Sequence, residues 1–408
     1  MGLTQVSTGG VKDDAITKAK IPANQIEASE LADNAVDTNA IANNAITQAK
    51  INVRISNRNL IINGSMQVAQ RATTYTGADN YNTVDRIKTI HSGLNEDVTS
   101  SQHELSSSDT PYSLGFRHSY HIQNGNQSAG AGAEDFLSMQ YRIEAQDLAR
   151  SGWDYKSTSS FITLSFWVKS SVAQSFGGFV RTHDGSQMTF PFETGALTAD
   201  TWTKITRIIP GNGAIGFSND NGTGMEINIS QFWGSNYTSS SKTLDAWSSY
   251  SNDSRLKDFP ASTWYTTNDA TFEITGLQLE VGSVATTFEH RSFSQELALC
   301  QRYFQQTYSV GNKGGDTVRN GGVSGLAING AFTRIRYSFK TEMRAAPTVT
   351  LFASSSGTTN KFRNTDDNQD VNGSVDASGT SSVLLVMTDT GLSTGKFIEA
   401  MATANAEL

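Results

Sequence analysis

The sequence predicts a mainly β protein in four parts, spread over 408 residues. These are an N-terminal trimeric repeat shaft (1–55), a jelly-roll-like β-sandwich (56–291), a short linking helix (292–307) and a C-terminal β tip domain (308–408). Three observations carry this. An apolar residue recurs at every fifth position near the N-terminus. Short alternating runs separated by Gly, Asn and Asp clusters fill most of the rest. A single amphipathic helical stretch lies between the two β regions.

The shaft rests on the pentad register. Val6, Val11, Ile16, Ile21, Ile26, Leu31, Val36, Ile41, Ile46 and Ile51 all fall on it. On a helix, a step of five residues turns about 140° beyond a full circle, so no stripe forms. On a strand, an odd period alternates faces. A 3.5-residue coiled-coil seam does not fit either. One apolar residue in five is too few to build a core in a single chain. Several identical chains wound together solve this, with Val11, Ile16, Ile21, Ile26, Leu31, Val36, Ile41, Ile46 and Ile51 on a shared axis. A pentapeptide-repeat solenoid and a disordered polar tract are the other readings of the period.

The sandwich rests on strand-like runs at 60–68, 112–123, 161–170, 176–181, 202–209, 224–233 and 271–281, with one helical piece at 138–149. Turn clusters such as Gly211-Asn212-Gly213 separate them. In the linking segment, Ser292 and Gln295 form a capping-box pattern, and Leu297, Cys300, Tyr303 and Phe304 share a face. The tip domain has strand candidates at 335–339, 347–353, 382–387 and 396–401. The stretches 310–322 and 354–381 read as long exposed loops.

Composition narrows the function. Apolar residues are 37% and charged residues 17%, both low for a globular enzyme. A net charge of −8 without a Lys/Arg cluster argues against nucleic acid as a partner. Cys300 is the single cysteine, so no intrachain disulfide forms, and its helical face predicts a buried thiol. The opening residues lack a signal-peptide pattern, and no apolar run reaches the roughly 20 residues of a membrane span. A product of a cytoplasm without membrane insertion is expected.

Three stretches resemble tail-fibre and host-recognition proteins of marine bacteriophages, particularly those of cyanobacteria. Residues 35–51 (AVDTNAIANNAITQAKI) are similar to their repeated shaft segments. Residues 59–71 (NLIINGSMQVAQR) resemble the opening strand of their carbohydrate-binding-module-like domains, and 274–303 (ITGLQLEVGSVATTFEHRSFSQELALCQRY) the closing strand and following helix. The resemblance implies a homotrimeric, non-catalytic virion fibre. Its N-terminus would meet a tail adaptor, baseplate or other fibre protein, and its distal part a host surface polysaccharide. It departs from fibres that begin with a long attachment domain, because here the pentads start almost at Met1. A tailspike-like polysaccharide depolymerase is the alternative, as is a purely structural capsid or connector fibre.

Sugar binding by a sandwich calls for an aromatic platform beside polar side chains. Trp233 with Tyr237, Trp247 with Tyr250, and Trp264 with Tyr265 stand in or beside polar loops and are the candidates. Trp167 and Trp202 read as core. Glycan hydrolysis would need two carboxylates at a set separation, and Glu134, Asp135, Glu144, Asp147, Asp253 and Asp258 show no such pairing motif. Glu144 and Asp147 read as a solvated helix face. His118 and His121 would face opposite sides of a strand, which disfavours shared metal ligation. No cofactor is implied, apart from a structural Ca²⁺ of the kind such sandwiches often hold, for which Asn63, Ser65 and Glu280 are the available oxygens. The Asp-rich stretch 365–370 reads as an exposed acidic turn.

Overall fold

A computed structural model describes residues 57–77, 80–258, 263–319, 321–328, 332–389 and 392–408. The pentad positions, and with them the expected shaft core from Val11 to Ile51, lie outside the described residues.

The sandwich is built from twelve strands and two short helices. In chain order these are β1 (Thr74–Thr76), β2 (Ile87–Ser92), β3 (Thr99–Glu104), α1 (Thr110–Ser113), β4 (His118–Gln123), β5 (Phe136–Glu144) and α2 (Ala145–Ala149). There follow β6 (Phe161–Ser170), β7 (Ser175–Thr182), β8 (Met188–Ala196), β9 (Thr203–Pro210), β10 (Thr223–Trp233), β11 (Ser248–Ser249) and β12 (Thr271–Val281). They form two six-stranded sheets, ordered β1-β3-β4-β12-β6-β9 and β11-β8-β7-β10-β5-β2. All their pairings are antiparallel, as for β5 with β10 and β6 with β12.

Alternation explains which faces meet. Leu137, Met139, Tyr141 and Ile143 of β5 and Ile227 and Ile229 of β10 point inward. They join Ile162, Leu164, Phe166 and Val168 of β6 and Ile274 and Leu279 of β12 in one buried cluster. Burying each such side chain contributes about 1.5–3 kcal/mol relative to exposure. Gly276 sits at a register shift of β12 with φ +64°, where a Cβ would lie 2.8 Å from the Phe116 ring.

Helix α3 (Phe293–Gln301) follows, opened by the expected capping box between Ser292 and Gln295. Cys300, Tyr303 and Phe304 are buried, and burial pushes the Cys300 thiol up. The C-terminal region holds β13 (Phe304–Gln306), β14 (Val323–Leu326), β15 (Thr333–Ser338), β16 (Thr348–Phe352), β17 (Lys361–Asn364), β18 (Gln369–Ser378), β19 (Ser382–Met387) and β20 (Phe397–Asn405). Strand β20 pairs with β13, β14, β16 and β17, so it is the spine of this second β region. A separate cluster including Phe362, Val371, Leu385 and Ile398 fills its core. No helix among the described residues is long and apolar enough to cross a membrane.

Four expectations change. Residues 60–68 are not a strand. Asn63, at φ +62°, accepts from Val68 N–H and donates to the carbonyls of Val68 and Asp85, so its side chain replaces ladder bonds. The strand read at 112–123 begins only at His118, because Pro111 starts the short helix α1. The helix read at 138–149 is strand β5 plus the single turn α2, since its apolar residues recur every second position. The loop read at 354–381 contains the β17–β18 hairpin, with Phe362 and Val371 buried.

The two β regions are tied by buried charge. Arg86 is 1% exposed and pairs with Glu407, which is also bonded by Arg71 at 3.1 Å. The Arg86 guanidinium lies 3.5 Å from the centre of the Tyr303 ring and donates to the Arg142 carbonyl at 2.7 Å. Arg344 spans the same seam, donating to the carbonyls of Asn221, Ala406 and Glu407. Removing one partner of a buried pair leaves an uncompensated charge and costs about 3–5 kcal/mol. Glu407→Ala should therefore lose about that much in urea unfolding. Asp376→Ala, which breaks the exposed pair with Arg334, should lose under about 1 kcal/mol. Equal losses for the two variants would contradict this.

Candidate functional site

The face of the second sheet turned away from the core carries an ordered set of polar side chains, most of them buried. Three adjacent strands build it in register. Arg142 of β5 stands opposite Glu226 of β10, which stands opposite Arg181 of β7. One step along, Gln140, Asn228 and Phe179 make a second row, and Lys88 of β2 extends it beside Gln140. A third row brings Ser138 and Ser230 together, with hydroxyls 2.9 Å apart. The inward residues of these strands are core, so period two alone sends these polar groups outward.

Glu226 is the hub. His183 Nε2 lies 3.0 Å from its carboxylate, Arg181 3.6 Å and Arg142 3.8 Å. Its burial would raise the carboxyl. The His183 hydrogen bond and the charges of Arg181 and Arg142 outweigh that and hold it below the usual carboxylate range. Arg181 also donates to Gln187 Oε1 at 2.8 Å and lies 3.6 Å from the centre of the Tyr250 ring. Gln140 Oε1, Asn228 Nδ2 and Arg142 Nε are buried atoms with no hydrogen-bond partner among the described residues. Leaving such a group unmatched costs about 1–3 kcal/mol.

At the other end of the face, the loop 234–258 folds down. Leu256 and Trp233 bury Phe179, and Trp233 stacks on Phe136 at 4.4 Å between ring centres. A register shift between Ser230 and Phe232 turns Trp233 outward onto Phe136.

The six aromatic candidates therefore separate. Trp233, Trp264 and Tyr265 are at most 1% exposed, so they have no free ring face for a sugar; that part of the expectation is corrected. Trp233 and Trp264 spend their N–H groups on Ser230 Oγ and the Thr271 carbonyl, pinning loops. Trp247 is half-buried against Phe190 and donates to the Pro210 carbonyl. Tyr237 is half-buried, edge-on to Trp233 and Phe136. Tyr250, half-buried beside Arg181, is the aromatic placed at the polar rows. Sequence reading missed Arg142, Arg181, Glu226, Gln140 and Asn228, which meet only through strand pairing.

The other expectations are placed as follows. Glu144 is fully buried and held by Arg302 at 2.8 and 2.9 Å, not on a solvated face. Trp202 is buried and bonds Asp109. Trp167, read as core, instead lines a cleft of about 230 Å³ on the outer face of the first sheet with Phe116, Phe288 and His290. The oxygens considered for Ca²⁺ do not fit it. Asn63 Oδ1 accepts from Val68 N–H, and Glu280 accepts from Thr286 N–H and Oγ1–H at 2.8 and 2.7 Å. Within 365–370, Asp367 pairs with Lys396 and Asp370 with Arg363. No cluster of three metal-ligating side chains occurs among the described residues.

No family model and no curated protein matches the sequence. Among solved structures, the enzymatically active domain of tailspike protein 4 of bacteriophage CBA120 aligns with a TM-score of 0.29 and 11% identity. That alignment covers 55% of this chain and 21% of the tailspike chain. The N-terminal cellulose-binding domain of Cellulomonas fimi β-1,4-glucanase C aligns with a TM-score of 0.25 and 9% identity, over 48% of this chain and 90% of that one. A family 11 carbohydrate-binding module of Clostridium thermocellum, in complex with a β-1,3-1,4-mixed-linked tetrasaccharide, aligns with a TM-score of 0.23 and 11% identity. It covers 54% of this chain and 99% of the module. The chain thus spans 21% of the length of the tailspike domain it matches.

The lowered carboxyl of Glu226 sets a pH signature. Its folded value lies below the unfolded one, about 4.3, so its contribution is present above that pH and lost as pH falls through the folded value. Glu226→Gln should be less stable than the parent at pH 7, with the gap closing as pH falls below the ordinary carboxylate value in urea titrations. A gap that does not change with pH would contradict the pairing.

Proposed function

We propose that this chain is a non-catalytic glycan-binding fibre protein of a phage virion, and that the outer face of the second sheet holds the glycan. The carrying observation is the set of partly exposed Arg142, Arg181 and His183 gathered round Glu226, with Tyr250 alongside. Guanidinium groups held in fixed register are donors for sugar hydroxyls. A phenol ring beside them offers a face for the sugar's C–H surface.

The pentad segment supports the rest of the reading. Three chains sharing one axis would present three copies of the site, so weak single contacts add to a tight grip on a repeating polymer. The segment would attach to a tail adaptor, baseplate or other fibre protein. The tail fibre of a virion is then the place of action, and adhesion to host polysaccharide is the task.

Two measurements test this on the full chain. Light scattering should give the mass of three chains, and a monomer would contradict the fibre. On a polysaccharide array, Tyr250→Ala should weaken binding about fivefold, the equivalent of roughly 1 kcal/mol for one aromatic contact. Loss of binding in Trp167→Ala with no effect of Tyr250→Ala would move the site to the first sheet. New reducing ends in the bound polysaccharide would contradict the non-catalytic role.

A further inference from the structure

The same face carries more positive than negative charge, and it does so inside an acidic protein. Two guanidiniums and the His183 imidazole share the one carboxylate of Glu226. The neighbouring Glu144 is neutralised by Arg302, whose Nε and Nη2 both donate to it. Arg255 adds a cation near Tyr250, 5.9 Å from its ring centre. The chain as a whole has a net charge of −8, so this patch runs against the average.

Arg142 is the distinctive member. Its side chain is 27% exposed, Nε approaches Glu226 at 3.8 Å, and that Nε has no hydrogen-bond partner among the described residues. The contrast with its neighbours is sharp. Arg181 is fixed by Gln187 and Tyr250, and Arg86, directly behind the strand, by Glu407 and the Arg142 carbonyl. A partly exposed arginine held on a rigid strand is a ready fork for a planar or tetrahedral oxyanion.

We propose that the glycan bound here is acidic, a polysaccharide bearing carboxylate or sulfate groups, with the partly exposed Arg142 taking the anionic group. This rests on the glycan-binding reading of the same face and adds the charge of the sugar to it. Bulk charge would repel a polyanion, so attraction must come from this patch alone. Salt should weaken it accordingly.

The test is affinity electrophoresis of the full chain in gels containing polygalacturonate, alginate, hyaluronate or dextran sulfate. Each is set beside a neutral counterpart, such as fully methyl-esterified polygalacturonate or plain dextran. The expected result is at least tenfold tighter binding to an acidic member than to its neutral counterpart. Arg142→Gln should erase that ratio, and Arg142→Lys should restore only part of it, because the charge returns without the fork. Preference for dextran sulfate over the uronates identifies sulfate as the recognised group, and the reverse identifies carboxylate. Binding to neutral members as strong as to acidic ones overturns the acidic-glycan proposal and leaves glycan binding standing. No binding in any gel removes both. Acidic binding untouched by Arg142→Gln overturns the assignment of the site.

Discussion

A charge buried without water has to be matched, and the placement of Arg86 imposes that requirement on the whole described unit. Its guanidinium is 1% exposed at the end of the segment entering β2. Its Nη1 pairs with a carboxylate more than three hundred residues away, Glu407, and its Nη2 donates to the carbonyl of Arg142 on β5. Tyr303, just past α3, and Tyr141, from the core, lie over its faces. Sandwich, helix and C-terminal strand region therefore converge on one ion. The surroundings show the same economy of matched charge. Asp85, next in sequence, is pushed up to about 6 by burial, against the opposing pull of Arg71 and Gln70.

This anchor lies directly behind the proposed binding face. Arg86 points to the backbone of β5 at Arg142, whose own side chain stands on the outer surface. The core side of β5, β7 and β10 is packed with Leu, Met, Ile, Phe and Val, so the outward rows sit on a stiff support. A rigid set of donors loses little entropy when it meets a ligand. The adhesive reading also explains the modest charge and apolar content of the chain. A fibre needs stable sheets and a readable surface rather than a deep pocket.

Much of the fold was legible because alternation and turn chemistry agree locally. Strands 161–170, 271–281 and 382–387 coincide with β6, β12 and β19, since each is an alternating or continuously apolar run ended by turn residues. The Ser292–Gln295 box was legible for the same reason: its physics spans four residues. The failures share another cause. Asn63 makes its bonds through its side chain, and a strand pattern cannot reveal that. In β5, polar Ser138, Gln140 and Arg142 hide the alternation of Leu137, Met139, Tyr141 and Ile143. The candidate site was hardest of all. Loop aromatics drew attention, but Trp233, Trp264 and Tyr265 turned out to pin loops to the sandwich. Arg142, Glu226 and Arg181 become neighbours only once β5, β10 and β7 are paired, an order the chain does not follow.

The most direct measurement is hydrogen–deuterium exchange of the full chain with and without a bound polysaccharide. Protection confined to β5, β7, β10 and residues 248–250 is the predicted result. Protection concentrated in residues 308–408, or around Trp167 on the opposite sheet, would contradict the placement of recognition on this face.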